Sequence, residues 1–327
     1  MRKMNKFIQV LKRILLTIAL PLVVYVILGC LRPDVYFQWK TLLMLLTQAI
    51  PYTIIGWAMI FGMSVGLFDF SVGSIIILAS FVGIHMSQLY GLAGFILGTL
   101  FAALIMGSFT GLVFAGLRIP SIITGFAALL IFESIATTYQ NSFENIITDE
   151  IAIFGRSPRI YIVAAVTFVL VYVLYNNTKF GYQIKAIGGN EVVAKNMGIK
   201  SIRLKLLTYI VSGFFLWIAS MVKVGHSGVV SAAVNMSSMF QVFTPMMGVM
   251  IGMNITSCNP IIGVLLGELT ITIVSSGLVS LGIESRLQNV FVGLFLLIFI
   301  GIRLNSQNID LKKIFIKKNA GFQPEGK

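Results

Sequence analysis

Apolar segments of about 17–25 residues, long enough to cross a bilayer as a helix, recur along almost the whole chain. A helix of this length satisfies its own backbone hydrogen bonds within lipid. The segments show no alternation of apolar and polar residues, so a transmembrane β-barrel is disfavoured. The chain is 57% hydrophobic and 11% charged, whereas soluble domains are about 25% charged. We predict an all-α polytopic membrane protein.

The polar and glycine-rich breaks between the segments predict about ten transmembrane helices in a single domain covering residues 1–327. The predicted helices cover residues 14–30, 41–61, 70–89, 92–117, 121–139, 160–176, 204–223, 238–256, 260–281 and 287–304. The break at residues 62–73 holds three glycines, two serines and Asp69. It is either a short loop or an interrupted helix at membrane depth.

Basic residues account for a formal net charge of +13 and are clustered in three places. An even number of helices leaves both termini on one side, and the positive-inside rule makes that side cytoplasmic. The cytosolic parts are then the N-terminus (residues 1–13), a central loop (178–203) and a basic tail (305–327). Contacts with anionic lipid headgroups follow from this clustering, and nucleic-acid binding is disfavoured.

The central loop is polar and basic inside an otherwise apolar chain. Asn190 is a good N-cap residue, and Glu191 follows in the first turn, where the helix dipole favours negative charge. Gly198 stands where helices commonly end in a left-handed residue. These signals predict a short cytosolic helix over residues 191–197, between the sixth and seventh transmembrane helices.

The two faces of this short helix differ in chemistry. Glu191 and Lys195 form a polar face at the favoured four-residue spacing, and Val193 and Met197 form an apolar one. The Gly188-Gly189 pair ahead of it is expected to permit a sharp turn. A helix of two turns is marginal alone in water, so it rests either in a groove of another protein or on lipid headgroups.

The segment from Lys179 to Gly213 resembles the coupling region of the permease subunits of ribose- and galactose-type sugar ABC importers. The family pattern is approximately T-x-x-G-x-x-x-x-A-x-G-G-N-x-x-A-A-x-x-x-G-I. The matching residues here are Thr178, Gly181, Ala186, Gly188, Gly189, Asn190, Ala194, Gly198 and Ile199. Val193 replaces the first alanine of the family's pair.

Two further segments are similar to this family. Residues 66–73 resemble its G-I-D-L-S-V-G segment, and residues 277–283 resemble its N-G-L-N-L-L-G-V segment more loosely. The chain departs from the pattern at residues 252–260, where the family has a glycine-rich stretch, and at Glu133, where the family often has arginine.

The resemblance implies a permease subunit of a bacterial cytoplasmic membrane that moves a monosaccharide or similar polar solute. It also implies three partners: a separate ABC ATPase subunit that holds ATP and Mg²⁺, an extracytoplasmic solute-binding protein, and a second permease subunit. The implied ATPase-coupling residues are Gly188, Gly189, Asn190, Glu191, Val193, Ala194, Met197 and Gly198. Alternatives are a nucleoside or branched-chain amino-acid ABC permease, an ion-coupled secondary transporter and a membrane scaffold.

Three carboxylates lie within or beside apolar segments, where an ionised group is costly unless it faces a cavity, a partner or an interface. Asp69 is expected to cap the third helix through the amides of residues 71–73. Glu133 is expected to be solvated near the outer surface. Glu268 either lines the translocation path or forms a buried hydrogen-bonded pair. The candidate path residues are Asp69, Ser71, Gln241, Asn254 and Glu268.

Signals for covalent chemistry are absent from the sequence. It has no Gly-x-x-x-x-Gly-Lys-Ser/Thr phosphate loop, so ATP hydrolysis by this chain is not expected. His85, His226, Cys30 and Cys258 show no metal-ligand spacing. We therefore predict a transport subunit that is not itself an enzyme and holds no metal or cofactor.

Overall fold

The computed structural model describes residues 2–143, 147–255 and 258–306, and these residues contain helices but no strand. The basic tail beyond residue 306 lies outside the described residues. The α-helices are α1 Arg2–Leu31, α2 Pro33–Tyr36, α3 Trp39–Met63, α4 Val72–Leu117, α5 Ser121–Ser142, α6 Asp149–Ala152, α7 Arg159–Asn177, α8 Lys179–Gly189, α9 Glu191–Asn196, α10 Ser201–Ser227, α11 Phe240–Asn254, α12 Pro260–Ser280 and α13 Ser285–Ser306. Two 3₁₀ turns cover Ile153–Gly155 and Ser237–Met239.

Helix α4 is a hairpin of two helical halves, because the backbone leaves helical geometry at Tyr90 and at Gly91, whose φ is +60°. The halves pack closely: a Cβ on Gly83 would lie 2.2 Å from the Thr99 side chain. Each of the ten predicted segments therefore has a helical counterpart.

Six helices within the described residues are long and apolar enough to cross a membrane, namely α3, α4, α5, α7, α10 and α12. This finding confirms the predicted all-helical, polytopic membrane protein. The total of ten crossings and the sidedness of the termini stay predictions.

Helix α10 lies at the centre of the bundle, packed along α4 and α3. Small residues allow α10 and α4 to pack with their backbones close together, since a Cβ on Gly107 would lie 3.1 Å from the Cα of Gly213. On the α3 side, the rings of Phe61 and Phe215 stack with centroids 5.6 Å apart. A displacement of α10 must therefore disturb both neighbours.

Helices α11 and α12 form a second close pair through glycines spaced four residues apart. A Cβ on Gly252 would lie 2.4 Å from the carbonyl carbon of Gly263, and one on Gly267 would lie 2.1 Å from the carbonyl oxygen of Gly248. Close approach of small residues replaces the hydrophobic drive that lipid cannot supply.

The end of the bundle that carries α8 and α9 is called the α9 end below. The last residues of α3 and α7 and the first residues of α12 lie at the same end. The hydroxyls of Ser64 and Tyr175 lie 3.0 Å apart, and Asn259 donates to the side chain of Asn176 at 2.9 Å. At the opposite end, Gly155 and Gly225 meet so closely that neither has room for a side chain.

Candidate functional site

Helix α9 has the predicted short helical form, with both ends capped. The Asn190 side chain accepts from the Val193 amide at 3.1 Å. At the other end, Gly198 has a φ of +84°, its amide donates to the Lys195 carbonyl at 2.9 Å, and the Ile199 amide donates to the Ala194 carbonyl at 3.1 Å. This pair of bonds is a Schellman motif. The predicted helix is confirmed, while its role in coupling stays a prediction.

Glu191 attaches α9 to the first turns of α10. Its carboxylate accepts from the Ser201 hydroxyl at 2.6 Å and from Lys205 at 2.9 Å, and Lys195 lies 3.0 Å away. The Ser201 hydrogen bond, followed by those of Lys205 and Lys195, lowers the pKa of Glu191 to about 2. The carboxylate is therefore ionised at neutral pH and holds α9 against α10.

The outward face of α9 is apolar. Val192, Val193 and Met197 are 68%, 52% and 76% exposed, whereas Ala194 on the inward face is buried at 1%. A rigidly capped helix that presents three apolar side chains away from its own bundle is typical of a docking surface.

The expected sharp turn at Gly188-Gly189 is wrong, because both residues belong to α8, which the sequence analysis treated as loop. Helix α8 buries Ile184 and Ile187 against the bundle. A Cβ on Gly188 would lie 2.1 Å from the Ser64 carbonyl oxygen, so this glycine permits close packing of α8 on the end of α3.

The break between α3 and α4 passes beside α5. Asp69 accepts from the amide of Ser71 at 2.9 Å and from its hydroxyl at 2.6 Å. Ser71 precedes the first residue of α4, and Asp69 makes no bond to the amide of Val72 or Gly73, so the expected capping of this helix is not found. A Cβ on Gly125 of α5 would lie 2.9 Å from the Phe70 amide nitrogen, and one on Gly73 would lie 2.3 Å from the Ser238 carbonyl oxygen. The irregular backbone thus packs among helices, which favours the interrupted helix over a simple loop.

The expected solvation of Glu133 is wrong. Its side chain is only 4% exposed, and its two oxygens accept from the amides of Met236 and Ser238 at 2.9 and 2.8 Å. The carboxylate binds the unpaired amides at the 3₁₀ turn that leads into α11. Glu133 therefore fixes the start of α11 against α5.

Glu268 is fully buried, and neither of its oxygens has a hydrogen-bond partner within the described residues. The expected hydrogen-bonded pair is therefore not found there. Its carboxyl group fits a space left by two glycines, since a Cβ on Gly248 would lie 2.2 Å from the carboxyl carbon and one on Gly56 would lie 2.8 Å from an oxygen. The side chain sits at the junction of α3, α11 and α12.

The other two polar candidates form no hydrogen bond with Glu268. Gln241 accepts a hydrogen bond from Lys223 of α10, and Asn254 donates to the Met250 carbonyl of its own helix at 2.9 Å. Lys223 was missed by the sequence analysis. A single cation near the end of a long apolar segment was the signal that could have found it.

An aromatic cluster at the starts of α4 and α11 was also missed. The rings of Phe70 and Phe126 stack with centroids 4.7 Å apart, and Phe243 meets Phe70 at 6.1 Å and Phe240 at 6.2 Å. The four positions are scattered in sequence, so no local pattern joins them. Phe240 is 57% exposed, which leaves the cluster open on one side.

Metal ligands do not gather anywhere in residues 2–143, 147–255 and 258–306: no group of three or more His, Cys, Asp or Glu side chains could hold an ion.

The chain belongs to the family described as the branched-chain amino acid transport system / permease component, whose model matches residues 41–300. It is similar to a galactose/methyl galactoside import permease of Haemophilus influenzae, with 26% identity over 61% of this chain and 62% of that protein. It is also similar to the ribose import permease of Bacillus subtilis, with 28% identity over 84% of this chain and 88% of that protein. The ribose import permease of Escherichia coli K12 is 24% identical over 85% of this chain and 89% of that protein. No solved structure shows a significant match.

These relatives confirm the predicted resemblance to ribose- and galactose-type permeases. The matched stretch covers less than two thirds of the galactoside permease and nearly nine tenths of the ribose permeases.

Proposed function

We propose that this chain is the transmembrane permease subunit of an ABC importer that carries a monosaccharide across a bacterial cytoplasmic membrane. The observation that carries the proposal is α9, a capped helix with an exposed apolar face, fixed through Glu191 to the central helix of the bundle. The partners are an ABC ATPase subunit that holds ATP and Mg²⁺, an extracytoplasmic binding protein and a second permease subunit.

Coupling follows from the mechanical continuity of α9 and α10. When the ATPase subunits close, they displace α9, and the bonds from Glu191 to Ser201 and Lys205 pass the displacement to α10. Helix α10 runs the length of the bundle to Gly225 at the opposite end. Movement of α10 against α3 and α4 changes which end of the path is open.

The solute path lies beside the interrupted starts of α4 and α11. Irregular backbone at membrane depth is tolerated where protein or a water-filled cavity covers it, and transporter sites commonly form at such breaks. Asp69 with Ser71, and Gln241 with Lys223, place polar groups at the two breaks. Asn254, which is half-buried, and Glu268, which is fully buried, lie farther along α11 and α12, and Glu268 becomes accessible only when these helices part.

Reconstitution in proteoliposomes tests this proposal. Uptake of galactose or ribose should require the permease, the ATPase subunit, ATP and the binding protein together. Uptake of a nucleoside or a branched-chain amino acid in their place would favour those alternatives. Uptake by the permease alone under a proton or sodium gradient would contradict the proposal and favour a secondary transporter.

A coupling variant sharpens the same experiment. Gly198→Pro should abolish uptake, because proline cannot adopt the φ of +84° that ends α9. Its insertion into the membrane should be normal, since α9 lies outside the apolar helices. Normal uptake by this variant at normal expression would count against a coupling role for α9.

A further inference from the structure

A pocket of about 280 Å³ lies beside α9, at the α9 end of the bundle. Its walls come from the end of α4, the connection to α5, and the network that fixes α9. The lining residues are Phe114, Arg118, Ile119, Pro120, Glu191, Ser201, Ile202 and Lys205. Because Glu191 is the first residue of α9, the pocket adjoins this helix.

Arg118 carries the uncompensated charge of the pocket. Its side chain is exposed, and within the part of the chain that the structure describes its guanidinium forms no hydrogen bond and no ion pair. Lys205 is already paired with Glu191 at 2.9 Å, and Glu191 is shared with Lys195 at 3.0 Å. The pocket therefore has a surplus of positive charge located on Arg118.

The backbone of Arg118 is strained. At φ +54° and ψ +32° it occupies the left-handed region at the C-cap of α4, where glycine is the usual and less strained residue. An arginine in a conformation that favours glycine points to a use for its side chain.

We propose that the pocket at Arg118 binds a carboxylate side chain of the ATPase subunit, as a second contact beside the apolar face of α9. A guanidinium binds a carboxylate through two parallel hydrogen bonds, which fixes orientation as well as position. The α9 end is rich in basic residues, because Lys179, Lys195, Lys200 and Arg203 lie in or close to α8 and α9 in the sequence. An acidic partner segment is therefore complementary in charge. This inference rests on the proposed ABC importer function.

Binding of the purified ATPase subunit to the permease in phosphatidylcholine nanodiscs tests the contact. Arg118→Glu should weaken binding roughly tenfold or more, as expected for loss of a charge-assisted hydrogen bond, and high salt should reduce the difference. Arg159→Glu, an equal charge change at an exposed position at the start of α7, at the opposite end of the bundle, should stay within about twofold of the original chain.

Arg118→Gly separates docking from folding. It removes the cation and relieves the left-handed strain, so the melting temperature should be unchanged or higher while ATPase binding weakens. A melting temperature that falls in parallel with binding would overturn the proposal in favour of a structural role.

Two further outcomes would also overturn it: equal binding by Arg118→Glu and Arg159→Glu, or a difference seen only in nanodiscs that contain phosphatidylglycerol, which would assign the pocket to a lipid headgroup. If Met197→Gln weakens binding and Arg118→Glu does not, this inference fails while the proposed function stands. If the original chain binds no ATPase subunit, both fail.

Discussion

Replacement of Met197 by glutamine isolates the contribution of the α9 apolar face to ATPase docking. The change keeps the length and flexibility of the side chain and removes its apolar character. Burying a methionine side chain completely is worth about 1.5–3 kcal/mol. Because 76% of Met197 is exposed in the isolated chain, its burial under the ATPase should contribute about 1–2 kcal/mol.

The expected result is a Kd for the ATPase subunit that rises roughly 5- to 30-fold, since 1.4 kcal/mol corresponds to a factor of ten. The free energy of unfolding of the permease should change by less than about 0.5 kcal/mol, because the substituted side chain is exposed and makes no specific bond. Binding is measured by biolayer interferometry on permease in nanodiscs, and stability is measured by thermal unfolding of the same preparation.

Val229→Gln is the matched control. Val229 is 71% exposed and lies in the connection after α10, at the end of the bundle opposite α9. Its replacement should leave the Kd unchanged. If Met197→Gln has no effect, or if both variants weaken binding equally, the apolar face of α9 is not the docking surface.

Three other expectations follow from the described contacts. Because the folded-state pKa of Glu191 is lowered from 4.5 to about 2, its bonds stabilise α9 above pH 4.5 and are lost as the pH falls from 4.5 towards 2. The hydrogen-exchange protection of residues 191–197, relative to the intrinsic rate at each pH, should fall in that window, and Glu191→Gln should remove this pH dependence. Glu133→Ala leaves the buried amide of Ser238 and the partly buried amide of Met236 unpaired. It should lower the free energy of unfolding by about 2–4 kcal/mol, seen as a lower melting temperature, and an unchanged value would mean that water pairs these amides. Gly267→Ala should destabilise α11–α12 packing, because its Cβ would lie 2.1 Å from a carbonyl oxygen, whereas Gly116→Ala, with open space around it, should be neutral or stabilising; equal melting temperatures would contradict the close approach.

The helical architecture could be predicted from the sequence because each apolar segment carries its own signal. Segment length and interruption by glycine define helices such as α3 and α12 without any tertiary information. The cap residues Asn190 and Gly198 likewise predict α9 from local chemistry alone. Helix α8 was missed, since its lysines and the Gly188-Gly189 pair are typical of a loop, and the close packing of Gly188 on the end of α3 has no signal in the local sequence.

The surroundings of the buried carboxylates could not be predicted, because their partners are distant in sequence. Glu133 accepts from amides more than a hundred residues away, at Met236 and Ser238. The space around Glu268 is made by Gly56 and Gly248, on two other helices. Sequence reasoning identified each carboxylate as costly in a membrane, but which backbone groups or glycines surround it depends on the packing of the whole bundle.

Cross-linking of α9 in the assembled complex tests the central claim most directly. The variant chain carries Val193→Cys, and its two natural cysteines at positions 30 and 258 are replaced by alanine. Membrane vesicles that contain this variant and the ATPase subunit are treated with a short bifunctional reagent. We expect a covalent permease–ATPase product that depends on this cysteine, and we expect the cysteine to be protected from membrane-impermeant reagents applied outside intact cells. Labelling of the same cysteine from outside the cell, with no product formed, would contradict it.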